Sequence, residues 1–131
     1  MRARAISLVD FLIPYESLSD PSASPIMFQN IDAAALQNLL AQQAVVLIDV
    51  RTDAEVARGV IAGARHIALF SLPGRVAELS DAGTVVIYCQ SGGRSAQACS
   101  YLAQQGFRDL YNLSGGIMGW LRAGNSLSNL A

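Results

Sequence analysis

Val85-Val86-Ile87-Tyr88-Cys89-Gln90-Ser91-Gly92-Gly93-Arg94-Ser95 is the stretch that decides the fold. Thr84 to Tyr88 is an apolar, β-branched and aromatic run, the pattern of a strand buried on both faces. A loop bearing two glycines follows. Beyond it, Ala96, Cys99, Leu102 and Ala103 line one face of a helix predicted from Ser95 to Gln105. Gly106 falls at the left-handed C′ position, with Phe107 set to pack on Leu102 in a Schellman ending. Strand, tight loop and helix in this order form half of a βαβ unit.

The same alternation extends in both directions. Upstream, Phe28 to Ile31 reads as a short strand, and Asp32 as the N-cap of a helix carrying Leu36, Leu39 and Leu40. Val45 to Val50 is a second buried strand. Thr52 and Glu55 form a capping box for a short helix that stops at Gly59. His66 to Leu69 reads as a strand and Ser71 to Leu79 as a short helix. Downstream, Leu110 to Leu113 is a last strand, and Ile117 to Ala123 a last helix before Gly124. Strands alternating with helices imply an α/β fold, a parallel sheet flanked by helices on both faces.

The chain has 131 residues, the size of one domain. Three of its four prolines, Pro14, Pro21 and Pro25, fall among serines near the start. Residues 1–26 therefore read as a partly ordered extension, and residues 27–131 as the domain. Asp10 interrupts the apolar stretch after Arg2 and Arg4, which argues against a targeting segment and for a cytoplasmic protein. With 52% hydrophobic and 15% charged residues, the chain is not intrinsically disordered. Its longest apolar runs, Ala44 to Ile48 and Val85 to Cys89, are far short of a membrane span. A net charge of −1 without a basic stripe excludes a nucleic-acid footprint. Lysine is absent, so Schiff-base catalysis is excluded. Cys89, Cys99 and His66 are too few for a metal site, and none is expected.

Chemistry concentrates at Cys89. In open α/β sheets ligands bind beyond the carboxyl ends of the strands. Cys89 is placed there, facing the positive end of the following helix. That helix end and Arg94 favour the thiolate. Gly92 and Gly93 permit backbone angles that turn N–H groups inward as a nest for an anion. The Arg94 guanidinium offers a fork for a sulfonate or similar oxyanion. Cys99, on the core face of its helix, and His66, without a partner in sequence, read as structural. Asp49 and Arg51 end a strand beside the loop and read as supporting residues.

Cys89-Gln90-Ser91-Gly92-Gly93-Arg94-Ser95 resembles the Cys-x-x-Gly-x-Arg-Ser loop of the rhodanese sulfurtransferases. Three further segments resemble the family in the same order. These are Leu47-Ile48-Asp49-Val50-Arg51 followed by Glu55, then Gly59 to Ile67 with Ile61-Ala62-Gly63-Ala64, then Leu113-Ser114-Gly115-Gly116 with Trp120. Val60 and Ala68 depart from the His and Pro usual there.

The resemblance, over residues 27 to 126, implies a rhodanese-like five-stranded parallel sheet. It implies sulfur transfer from thiosulfate or a similar donor through a Cys89 persulfide held by the backbone of Gln90, Ser91, Gly92, Gly93, Arg94 and Ser95. The acceptor would be cyanide or a thiol, such as that of a sulfur-relay protein, and no cofactor is implied. Two other readings remain at this point. One is a non-catalytic rhodanese-like binding module, which the presence of Cys89 disfavours. The other is a Cys-dependent phosphatase or arsenate reductase, whose Cys-to-Arg loop is one residue longer than the four residues here.

Overall fold

Five strands run parallel in the order β1-β5-β4-β2-β3. The computed structural model describes residues 28–130, so the proposed extension lies outside the described residues. In chain order the strands are β1 (Gln29–Ile31), β2 (Val45–Asp49), β3 (Arg65–His66), β4 (Thr84–Tyr88) and β5 (Leu110–Leu113). The helices are α1 (Ala33–Gln42), α2 (Asp53–Val56), α3 (Gly93–Gln104) and α4 (Gly116–Arg122), with a 3-10 segment over Leu69–Leu79.

β4 is the centre of the sheet, and all five of its residues are buried. Its alternate side chains feed two cores. Val85 and Ile87 pack with Ala98, Cys99, Leu102, Leu72 and Leu79 under α3 and the 3-10 segment. Val86 and Tyr88 pack with Leu36, Ile117 and Trp120 under α1 and α4. Helices therefore cover both faces, which is why β4 carries no polar alternation. Because all pairs are parallel, the carboxyl ends of β2, β4 and β5 lie along one edge.

Local signals explain most element ends. Asp32 Oδ1 accepts from the Ala35 N–H at 2.8 Å and starts α1. The Thr52/Glu55 capping box is complete at the start of α2. At the end of α3 the Phe107 N–H donates to the Leu102 carbonyl and the Gly106 N–H to that of Ala103, the paired bonds of a Schellman ending.

The expected strand over His66–Leu69 is cut to Arg65–His66. The Ile67 and Leu69 N–H groups donate to the Asp49 and Val50 carbonyls, which exhausts the end of β2. The chain then winds into the 3-10 segment, where Pro73 cannot supply an α-helical donor. No helix among the described residues is long and apolar enough to cross a membrane.

Candidate active site

Cys89 is the first residue past β4 and is only 1% exposed. Hydrogen bonds converge on Sγ. The Gly92 N–H donates at 3.1 Å and the Ser95 N–H at 3.4 Å, with the Ser95 hydroxyl also at 3.4 Å. Helix α3 starts at Gly93, two residues earlier than expected, so its first turn with unpaired N–H groups faces the sulfur. Burial pushes the Cys89 thiol up. The Ser95 hydroxyl and the N–H groups of Ser95, Gly92 and Ser91 outweigh it, and the net shift is down. By contrast, burial alone pushes Cys99 up to about 12, in line with its structural reading.

The two loop glycines do different things. Gly92 has φ +112°, and a Cβ there would overlap the Ser114 carbonyl. That close approach seats the loop against the chain leaving β5. Gly93 has an ordinary helical φ and open space around it. The expectation that both glycines build the nest is therefore corrected: Gly92 alone turns the backbone. Gly116, at φ +60°, is pressed equally closely on Gln90, and the α4 N–H groups of Ile117 and Met118 donate to the Cys89 and Gln90 carbonyls. The Leu113-Ser114-Gly115-Gly116 signature thus packs the floor of the Cys89 loop.

Arg94 stands differently from the expectation. Its Nη1 and Nη2 donate to Glu55 Oε1 and Oε2 at 2.7 and 2.9 Å, and no hydrogen bond joins it to Cys89 among the described residues. This bidentate pair, reinforced by Thr52, holds the Glu55 carboxyl down at about 2 despite opposing burial. The fork expected to be open for an oxyanion is already occupied by a carboxylate.

Asp49 and Arg51 form a buried pair behind this. Arg51 Nε and Nη2 reach Asp49 at 2.7 to 3.1 Å, and Nη2 also donates to the Gly59 carbonyl at 2.7 Å. The Arg51 N–H closes onto Asp49 Oδ1 at 2.9 Å. His66 Nε2 donates to the Arg51 carbonyl at 2.6 Å. These contacts fix the turn after β2 that presents Glu55. A cavity of about 290 Å³ lies beside it, lined by Arg51, Glu55, Arg58, Gln90 and the apolar Ile117, Leu121 and Leu127.

Of the loop residues named from sequence, Gly92 and Ser95 bond Sγ directly, and the Ser91 N–H adds a weaker pull on the thiol pKa. Gln90 turns toward the cavity and α4. Gly93 and Arg94 do not bond the sulfur in this structure.

Two residues were missed. Glu55 was read as a helix cap and as part of the resemblance but not as a site residue, and its pairing with Arg94 needs the tertiary fold. Asn112 on β5 is buried, with Oδ1 2.6 Å from the Ser95 hydroxyl and Nδ2 bonded to Asn30 Oδ1 at 3.0 Å. A polar residue inside the otherwise apolar Leu110 to Leu113 was the available signal. Ser95 has a single hydroxyl proton, and Asn112 is its closest acceptor. The hydroxyl therefore supports Sγ fully only when it turns from Asn112.

Residues 32–123 match the rhodanese-like domain family. A protein of Allochromatium vinosum named sulfurtransferase is 46% identical over 99 residues, covering 75% of this chain and 92% of the relative. A thiosulfate sulfurtransferase of Stutzerimonas stutzeri is 36% identical over 75 residues, covering 57% of this chain and 69% of the relative. Among solved structures, a rhodanese-like domain protein from Staphylococcus aureus superposes with a TM-score of 0.70 at 31% identity, covering 79% of this chain and all of that one.

Proposed function

The chain belongs to the rhodanese-like domain family, and from that premise we propose that it is a sulfurtransferase working through a persulfide on Cys89. The observation that carries the reading is the environment of Sγ. It is a buried sulfur at a helix N-terminus, met by two backbone N–H groups and a hydroxyl, with its pKa shifted down.

In the first half-reaction the Cys89 thiolate attacks the outer sulfur of thiosulfate or a similar sulfane donor. The donor S–S bond breaks, and sulfite leaves with the electron pair in the thiosulfate case. In the second, an acceptor such as cyanide, a small thiol or a cysteine of a sulfur-relay protein attacks the terminal sulfur. The Cys89 thiolate is released. The chemistry is covalent and substituted-enzyme in type. Gly92, Ser95 and Ser91 hold negative charge on the sulfur in both the resting and the persulfide state, so no metal or organic cofactor is called for. The short loop from Cys89 to Arg94 suits one terminal sulfur better than a tetrahedral phosphate. We assign the protein to the cytoplasm, where two unbridged cysteines remain reduced.

Steady-state kinetics test this reading. With thiosulfate and cyanide both varied, the wild type gives parallel double-reciprocal lines, and Cys89→Ser gives no turnover. Intersecting lines, or activity retained in Cys89→Ser, would exclude the persulfide route.

A further inference from the structure

Arg94 is engaged on both of its terminal nitrogens, and the carboxylate that engages it is itself held in place. Glu55 Oε1, which accepts from Arg94 Nη1, also accepts from the Thr52 N–H at 3.0 Å and the Thr52 hydroxyl at 3.1 Å. The second guanidinium beside the loop, Arg51, is matched in the same way by buried Asp49. Two cations and two carboxylates therefore cancel beside the Cys89 loop. Arg58 lines the outer wall but is exposed, where solvent and salt screen it. The cavity that Arg51 and Glu55 border has an apolar wall of Ile117, Leu121 and Leu127.

We propose that Glu55 is a specificity-determining residue: by occupying Arg94 it sets the site against doubly charged inorganic donors and in favour of sulfane sulfur carried on an organic thiol. The inference rests on the persulfide reading above and names the substrate class of that site. A thiosulfate dianion gains the Arg94 fork only by displacing Glu55, and otherwise approaches a carboxylate. An organic persulfide needs no such exchange. Its terminal sulfur meets the Cys89 thiolate, a bond forms between them, and the donor S–S bond breaks. The electron pair leaves on the organic thiolate. The proton of the donor stays on the transferred sulfur, so charge and electrons balance without an added oxidant or reductant.

The test compares kcat/KM for thiosulfate with that for 2-hydroxyethyl persulfide in four proteins: wild type, Glu55→Gln, Arg94→Gln and the double variant. Gln at this position keeps the capping box, so Glu55→Gln changes the charge and spares the helix. In Glu55→Gln the thiosulfate-to-persulfide ratio should rise roughly fivefold at low salt, the scale of a partly exposed ion pair, and the gain should shrink as salt is added. It should appear mainly in KM. In the Arg94→Gln background the Glu55 substitution should leave the ratio unchanged, because no guanidinium is left to release. A ratio unmoved in Glu55→Gln, or both donors weakened together, overturns the inference while leaving the persulfide reading standing. A wild type that takes sulfur from neither donor overturns the persulfide reading itself.

Discussion

Replacing Gly92 by Ala puts a single methyl group at the tightest point of the site. Two costs add there. The backbone sits at φ +112° and ψ −13°, outside the regions open to side-chain-bearing residues, and left-handed conformations cost about 1–2 kcal/mol per residue. The new Cβ also overlaps the Ser114 carbonyl, which is backbone and cannot rotate away. Either the loop or the β5–α4 connection must shift. A total of about 3 kcal/mol follows, in the range of severe single substitutions.

For a domain of this size that loss lowers Tm by roughly 10–15 °C. Sulfur transfer should fall more steeply than stability, because the Gly92 N–H that bonds Cys89 Sγ at 3.1 Å moves with the loop. Gly93→Ala is the matched control. It has no atom within 4 Å of the new Cβ and opens α3, so Ala there is neutral or stabilising by up to about 0.5 kcal/mol. Calorimetric melting of both variants, with activity measured at 25 °C, checks the pair. Equal effects of the two substitutions, or a Gly92→Ala protein melting with the wild type, would refute the reasoning.

Two further outcomes follow from the site. The Cys89 pKa is shifted down and that of Cys99 up to about 12, so iodoacetamide should label Cys89 with a midpoint below that of an ordinary thiol. Its labelling rate rises with pH through that midpoint and levels off above it, while Cys99 stays unlabelled in the folded protein; peptide mapping across a pH series measures both. Asp49→Asn strips the charge from a fully buried partner and leaves the Arg51 guanidinium uncompensated. Losing one member of such a pair costs about 3–5 kcal/mol, so Tm should drop by about 12 °C or more, and a smaller change would show that Arg51 finds another partner.

Much of this architecture was legible because it is written in local patterns. Thr84 to Tyr88 is apolar at every position, which only a strand covered on both faces requires, and β4 is indeed central. Asp32, the Thr52/Glu55 box and the Gly106–Phe107 ending are signals read within a few residues of the bonds they make. Interactions between distant segments were not legible. Glu55 and Arg94 are 39 positions apart, and nothing in either neighbourhood says that the guanidinium meets a carboxylate rather than open solvent. The two glycines look alike in sequence. Gly92 differs from Gly93 only through the Ser114 carbonyl brought against it by β5. Asn112 acquires meaning only because α3 places Ser95 beside it. The shortened β3 has the same origin, since its length is set by where β2 runs out of acceptors.

Mass spectrometry of the intact protein after incubation with thiosulfate and removal of the excess tests the assignment of Cys89 most directly. The wild type and Cys99→Ser should each gain the mass of one sulfur atom, lose it on addition of cyanide, and gain it again with fresh donor, while Cys89→Ser gains nothing. Sulfur carried by Cys89→Ser, or its loss from Cys99→Ser, would contradict the account.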